Sequence, residues 1–433
     1  MVSVVLANCP ADGVAPDNYH ATSIYPEFVQ VEPGRWVLLA ESRMDCVIRK
    51  NPDGTLEVVE FRRLKKGDLV AVGRGENGED GIYVHAGPLD RLPDFLAGWT
   101  PANVSGRMSG PMSVDAQPSA SQADTQPADN FATTSAGHLA DGAAASGAPG
   151  LPGTSGASAS SGTVTAPSAS FASPSPAATA DKFAFRTGVS RETSFSLDYD
   201  TLYEVLRHDR EHGHIVWVAG PAVVFDADAR RAFAGLIDAG YVHGLLAGNA
   251  LATHDLEAAL YGTALGQGLY DKRQAPRGHY HHLDAINTIR GCGSIRAAVQ
   301  SGRVRDGVMH ALETRSVPYV LAGSIRDDGP LPEVIADVYA AQDAMRAHVR
   351  RATTVVALAT ALHTIATGNM TPSYQAGPGA SLRPVHFFIA DISEFAAGKL
   401  ADRGSLTSRS ILTNVQDFVV NVHRALTGAC RTE

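Results

Sequence analysis

In this chain of 433 residues, the residues whose types and places could do chemistry sit directly behind short apolar runs. IVWVA is followed by Gly220-Pro221, and GLLA by Gly248-Asn249-Ala250. YVLA is followed by Gly323-Ser324-Ile325-Arg326-Asp327-Asp328-Gly329, VVALA by Thr360-Ala361-Leu362-His363, and HFFIA by Asp391-Ile392-Ser393. In an open parallel sheet, ligands bind in the crevice outside the carboxyl ends of the strands. Small residues there let a ligand approach the backbone, and helix N-termini offer N–H donors to phosphates. A carboxylate just past an apolar strand accepts two hydrogen bonds from a ribose diol and repels a 2′-phosphate. Asp391 therefore favours NAD over NADP. The competing reading makes Asp391 an N-cap for SEFAAGKL, and the two are compatible. No GxGxxG is present, so a nucleotide site is suggested by position and not by fingerprint.

Other polar groups have two readings each. The adjacent Asp327 and Asp328 could serve a metal or a ribose. Alternatively, Asp327 pairs with Arg326 and Asp328 caps a helix starting near Leu331. A metal site would want further carboxylates or histidines on a common face, and the spacing offers none. His279, His281 and His282 in GHYHHLDAIN lack the spacing of a zinc-binding helix, which leaves helix entry, a hydrogen-bonded loop or a substrate contact. His363 follows a strand and lies among the small residues of the expected crevice, where it could touch cofactor or substrate. Cys46 could be a nucleophile, but it has no assignable basic partner and reads as a small buried hydrophobe.

The elements that must position these residues follow from periodicity. Apolar runs at 214–219, 242–247, 319–322, 354–358 and 386–390 read as strands. Amphipathic stretches at 227–239, 284–301, 331–350 and 415–426 read as helices. Strand alternating with helix argues an α/β domain with a parallel sheet covered on both faces, here spanning 182–433. Residues 1–93 read as a small β-rich module, with runs at 36–40, 46–48 and 56–59. Asn51-Pro52-Asp53-Gly54 is a hairpin turn, and KKGDLVAVG is a turn followed by a strand. Between the two, 94–181 is dominated by Ala, Ser, Gly, Thr and Pro. Such a tract buries too little apolar area to offset its ordering entropy, so it is expected to be a disordered, flexible tether.

Composition excludes several classes. Lys+Arg 36 against Asp+Glu 45 gives a net charge of −9, with no basic cluster to support nucleic-acid or anionic-membrane binding. No apolar stretch reaches the about 18 residues that span a bilayer, and the start has no basic segment of a signal peptide. Cys9, Cys46, Cys292 and Cys430 form no CxxC pair, which suits a reducing cytoplasm.

Longer runs carry a resemblance. VAGPAVVFD, GYVHGLLAGNALATHDLE, GHYHHLDAINTIRGCGSIRAAVQSG, PYVLAGSIRDDGPLPEVI, LATALHTIATGNMTP and ADISEFAAGKLADRGS resemble the NAD-dependent ornithine cyclodeaminases of the archaeal type. The same family supplies the C-terminal part of the cyanobacterial bifunctional arginine dihydrolase/ornithine cyclodeaminases and carries the LOR/SDH conserved-region label. PADGVAPDNYHAT, RMDCVI and KKGDLVAVG look like its middle region. The resemblance implies a Rossmann-like NAD-binding domain related to that of deoxyhypusine synthase, plus a small β-containing substrate module. It implies NAD contacts at Asn249, Ala250, Asp328, Thr360, Ala361, Leu362, His363, Asp391, Asn414 and Val415. Three departures stand out. The family begins with another small domain that is absent here and that a second chain could supply. Its approximate TTNHPT segment reads Thr22-Ser23-Ile24-Tyr25-Pro26-Glu27 here. It usually has Asp where this chain has Asn414.

The chemistry implied is a closed redox loop, in which L-ornithine or a related diamino acid becomes L-proline plus ammonia by hydride transfer to NAD and back. The hydride step needs a neutral α-amine and hence a base. Candidates in the small module are Asp45 and Lys65 or Lys66, each of which also reads as turn or surface charge. The rivals are an NAD(H)-dependent amino-acid or imine oxidoreductase with another substrate, and a non-catalytic NAD-binding subunit. A homo-oligomer is expected, because related NAD folds place sites near subunit contacts.

Overall fold

The computed structural model describes residues 2–96, 99, 104–105, 196–327, 329–376, 381–393, 395, 398–399 and 405–428. The chain forms two units, Met1–Met108 with Glu192–Glu433, and Ser109–Arg191. The second unit, which holds most of the expected tether, lies outside the described residues.

The N-terminal module contains strands β1 (Val5–Asn8), β2 (Glu27–Glu32), β3 (Arg35–Leu39), β4 (Val47–Lys50), β5 (Leu56–Val59), β6 (Leu69–Val72), β7 (Ile82–Val84) and β8 (Val104–Ser105). They pair as two four-stranded sheets, β1-β6-β4-β5 and β7-β2-β3-β8. The period of two along a strand sets the packing. Val29 and Leu39 enter one apolar cluster with Cys46, Ile48, Leu56 and Ala71. Their neighbours Phe28 and Leu38 enter another with Trp36, Leu96 and Trp99. Asn51–Gly54 does turn the chain between β4 and β5, with Gly54 at φ 86° and its N–H donating to Asn51 O at 2.9 Å. The module runs past residue 93. Leu96 and Trp99 are buried, and β8 pairs parallel with β3. These two large side chains sit in a stretch whose composition otherwise argues against order.

The second part of the unit is an α/β domain. Its strands β9 (Ile215–Ala219), β10 (Gly244–Gly248), β13 (Tyr319–Ala322), β14 (Val334–Ile335), β15 (Thr354–Leu358), β18 (His386–Asp391) and β19 (Ser408–Leu412) form one sheet, ordered β14-β13-β10-β9-β15-β18-β19. Every neighbouring pair is parallel. The chain steps one way from β9 to β14 and the other way from β15 to β19, so the order reverses between β9 and β15. Two short hairpins complete the strands, β11 (Thr263–Ala264) with β12 (Gln267–Gly268), and β16 (Tyr374–Ala376) with β17 (Leu382–Pro384).

Helices cover both faces. On one side, α1 (Ser196–His212), α2 (Ala227–Asp238), α3 (Asn249–Tyr261), α4 (His281–Cys292), α5 (Ile295–Gln300), α6 (Val308–Arg315) and α9 (Val415–Thr427) pack against Ile215, Trp217, Leu245, Val356 and Phe388. On the other, α7 (Val338–Val349) and α8 (Ala361–Met370) pack against Val216, Val218, Val355 and Phe387. Alternate residues of each central strand thus serve opposite layers.

Two expected helices are corrected. The stretch 284–301 is two helices, because Gly293 at φ 87° stops α4 and Ser294 caps α5. In 331–350 the helix starts only at Val338, behind the N-cap Asp337, while the β-branched pair Val334-Ile335 forms edge strand β14. The module rests on α7 and on the β16–β17 hairpin. Arg62 and Arg63 reach Asp343, Glu60 joins Arg43 to Arg346, and the Tyr374 hydroxyl donates to Leu39 O at 2.7 Å.

Candidate functional site

The reversal between β9 and β15 is a topological switch point, where the tips of diverging strands leave a crevice. Its floor is backbone. The Gly220 N–H donates to Leu358 O at 2.8 Å. A Cβ on Gly220 would lie 2.2 Å from Ala359 O, so no other residue fits. Ala359 itself sits at φ 44°, a left-handed conformation rare for alanine. Next to it, β10 runs into α3 without a loop, and a Cβ on Gly248 would meet His363 Cε1 at 3.1 Å.

Helix capping varies along the domain. Asp226, Ser294, Asp337 and Asn414 cap α2, α5, α7 and α9 with their own side chains, and Asp255 accepts from Val308 N and Met309 N at the start of α6. At α3 and α8, the N-caps Gly248 and Thr360 make no side-chain cap bond, as is also true of Tyr280 at α4. Both α3 and α8 start at the tips flanking β9, so their first N–H groups are presented to the crevice with the positive end of the helix dipole. This is the donor set that a pyrophosphate takes.

The residues expected to touch a cofactor distribute as follows. Asn249 Oδ1 accepts from Leu331 N at 3.1 Å and Thr253 Oγ1 at 3.2 Å, and its Nδ2 donates to Asp327 Oδ1 at 3.3 Å. It thereby ties the 323–331 loop to the β10 tip. Asp327 accepts from Ser324 N at 2.8 Å, so its partners are Ser324 and Asn249 and not Arg326. Asp328 lies outside the described residues, and the helix it was expected to cap begins later, behind Asp337. Ala250, Thr360, Ala361, Leu362 and His363 are at the first turns of α3 and α8, with Leu362 77% exposed. His363 is half-buried, and burial moves its imidazole below the usual histidine range. Asp391 closes β18 and accepts from Ser393 N at 3.1 Å, an N-cap-like turn. Asn414 caps α9 through Gln416 N at 2.7 Å, while the Val415 side chain is buried in the core and offers the crevice only backbone.

The module's expected bases lie elsewhere. Asp45 is exposed in a turn at φ 65°. Lys65 is 68% exposed and paired with Asp12 at 3.1 Å, and Lys66 N donates to the same carboxylate. Both side chains are open to water and away from the crevice residues. Cys46 is buried, and that burial pushes its thiol up to about 11, so it stays protonated.

Sequence reading missed two buried polar clusters. The Glu257 carboxylate accepts from Thr263 Oγ1 at 2.9 Å, Gly266 N at 2.8 Å and Leu265 N at 3.1 Å, with His254 Nδ1 at 2.8 Å. This network fixes the β11–β12 hairpin and engages the GHYHHL motif, since His281 Nδ1 lies 2.8 Å from Thr263 Oγ1. The i, i+3 spacing of His254 and Glu257 was the available signal. In the module, Glu27 is fully buried, accepts from Ser23 Oγ at 2.8 Å and lies 3.1 Å from His20 Nε2. Glu27 and Ser23 belong to the segment that departs from the family's TTNHPT, and Ser373 Oγ donates to Ile24 O from the α/β domain. Among the described residues, no three His, Cys, Asp or Glu are grouped to hold a metal ion, and no helix is long and apolar enough to cross a membrane.

Comparisons with known proteins converge on one family. Residues 201–422 match the family described as arginine dihydrolase ArgZ-like, C-terminal, Rossmann fold. The chain is 34% identical over 424 residues to the ornithine cyclodeaminase of Methanopyrus kandleri, covering 98% of this chain and 78% of that protein. A solved LOR/SDH protein from Methanococcus maripaludis S2 superposes with a TM-score of 0.69 at 29% identity, covering 99% of both chains. The ternary complex of AgrE with ornithine and NAD+ has a TM-score of 0.50 at 27% identity, covering 98% of this chain and 46% of that one. With the Rossmann-like sheet and its switch-point crevice, these likenesses establish that the chain belongs to the archaeal-type ornithine cyclodeaminase family, which also furnishes the C-terminal part of the ArgZ-like arginine dihydrolases.

Proposed function

We propose that this protein is an NAD-dependent ornithine cyclodeaminase, converting L-ornithine or a closely related diamino acid to L-proline and ammonia. One observation carries the cofactor: the two helices that start at the glycine-tipped switch point have uncapped N-termini, while α2, α5, α7 and α9 are capped. Those N–H groups would hold the pyrophosphate, with Gly220 and Gly248 giving it room. Asp391 would accept from a ribose diol. Asn249 holds Asp327 and the 323–331 loop in place beside it. When bound, NAD supplies the hydride acceptor and donor. The chain's own share is to orient the diamino acid so that its ω-amine and α-carbon meet, an effect of large magnitude in ring closure.

The small module, including the stretch around Glu27 and Ser23, would contribute the substrate side. A second reading, an NAD(H)-dependent oxidoreductase of another amino acid or imine, is favoured by one observation. The Asn-His pair of the family's TTNHPT is replaced by Ile24-Tyr25. Incubation with ornithine and catalytic NAD separates the two. Ammonia and proline in equal amounts without NADH accumulation are the expected result. NADH formed in proportion to turnover would establish the oxidoreductase, and NAD binding without turnover of any basic amino acid would leave only a cofactor-binding subunit.

A further inference from the structure

His363 begins on the β15 side of the switch point, in the first turn of α8, and its ring reaches the tip of β10 at Gly248. Because β9 lies between β10 and β15, the imidazole spans the tip of β9, in the middle of the crevice. The two described carboxylates at neighbouring tips are engaged, Asp327 by Ser324 N and Asn249, and Asp391 by Ser393 N. The His363 ring has no hydrogen-bond partner or facing charge among the described residues. Burial moves it below the usual histidine range and so favours the neutral ring. A neutral, half-buried imidazole with unclaimed nitrogens is a proton acceptor in waiting, whereas Asp45 and Lys65 are exposed.

An α-ammonium must lose a proton before its carbon can lose hydride, because the nitrogen lone pair forms the new C=N bond. We propose that His363 is the catalytic base that takes this proton and later returns it to the departing ammonia. The inference rests on the NAD-dependent diamino-acid reading above. In balance, one N–H proton of the α-ammonium passes to the ring nitrogen. The Cα–H electron pair goes to the nicotinamide, the oxidant, and the substrate loses two electrons. When the ω-amine, entering as the free base, has bonded to that carbon and shed a proton to solvent, the imidazolium gives its proton to the leaving nitrogen and ammonia departs. Hydride then returns from NADH to the cyclic imine, whose nitrogen regains the shed proton, so that NAD and the imidazole both end as they began.

The test uses His363→Gln and His363→Asn in the full-length protein. Removing a positioned base typically costs about 10²–10⁴-fold. The single-turnover rate of NADH formation from ornithine should fall by that factor, and the acidic limb of the rate–pH profile should disappear. NAD affinity by calorimetry should change less than about tenfold. Turnover within a few-fold of the parent with the same acidic limb would overturn the proposal, as would lost NAD affinity with an unchanged maximal rate. Histidine NMR, with the variants providing assignment, reads the same group without catalysis. The His363 resonance should titrate below those of exposed histidines and move when ornithine joins the NAD complex. A ring that is protonated at neutral pH or indifferent to ornithine would sink the inference even if the parent protein proves active. If the parent protein does not turn over ornithine, the diamino-acid reading fails separately, and the NMR response to other α-amino acids with NAD decides His363: a shift supports it and none overturns it.

Discussion

At the scale of single residues, the crevice depends on what is missing as much as on what is present. Gly220 lacks the Cβ that would collide with Ala359 O at 2.2 Å. Gly220→Ala must therefore displace Ala359-Thr360, and with it the first turn of α8. Overpacking of this kind costs about 1–3 kcal/mol of stability. NAD affinity, measured by calorimetry, should drop at least about tenfold, equivalent to 1.4 kcal/mol. Retained affinity would show that α8 does not hold the cofactor. Asp391→Ala tests the other half of the site. The Ser393 turn loses its acceptor and a ribose diol loses its partner, so NAD should bind more weakly and the preference over NADP should shrink. An unchanged ratio of the two affinities would remove Asp391 from the ribose.

Elements show why the capping pattern is informative. A helix N-terminus leaves up to four N–H groups without intrahelical partners, and at α2, α5, α7 and α9 the N-cap side chain satisfies some of them. Ser294 Oγ accepts from Ala297 N at 3.0 Å and restarts the chain after Gly293. Ser294→Ala should cost about 1 kcal/mol in urea denaturation while leaving NAD affinity intact. A loss of NAD binding would mean that α4 and α5 reach the crevice. At α3 the strand passes directly into the helix behind Gly248, whereas Ala359 and Thr360 separate β15 from α8 and the Thr360 side chain makes no cap bond. Asn249 shows how one side chain can serve two elements, since its amide reaches both Asp327 and Leu331.

The whole molecule has two unlike sheet edges. The carboxyl edge carries the crevice, and the opposite edge gathers His214, His243 and His348 near the Arg351 guanidinium. His214 and His243 stack at 5.6 Å, and a Cβ on Gly244 would lie 3.3 Å from His348 Nδ1. Burial, reinforced by Arg351, lowers His214 to about 3 and also lowers His243 and His348. Asp209 nearby faces the same strands. Burial pushes its carboxyl up, but hydrogen bonds from Thr353, His208, Arg383 and Thr354 prevail and hold it at about 2. The folded-state values of the histidines lie below their unfolded value of 6.5, so the unfolded chain binds more protons as pH falls. Their stabilisation is full above pH 6.5 and declines below it. The Asp209 contribution is full above pH 3.8 and is lost as pH falls toward 2. Urea midpoints should therefore be flat above neutrality, fall from pH 6.5 to 4, and fall more steeply below that. A midpoint unchanged between pH 7 and 5 would show that these rings are not buried neutral in solution.

Much of this was legible in the residues. The central strands read correctly because they are short, continuous apolar runs, and the runs at 319–322 and 354–358 coincide with β13 and β15. The hairpin turn at Asn51–Gly54 was legible because only a few residues tolerate its backbone. The strand tips were found because a parallel sheet exposes its carboxyl ends in one row, whatever the order of strands. What local pattern could not carry was that order. That β9 lies beside β15, that Gly220 touches Ala359, and that His363 reaches Gly248 all depend on residues separated by 100 positions or more along the chain. For the same reason Asp45 and Lys65 looked available as bases, until folding left one in an exposed turn and gave the other Asp12 as a partner. Local periodicity determined which segments are strands and helices and which face each must bury. Only long-range packing decided which tips converge, which side chains are shielded, and so which groups can act on a ligand.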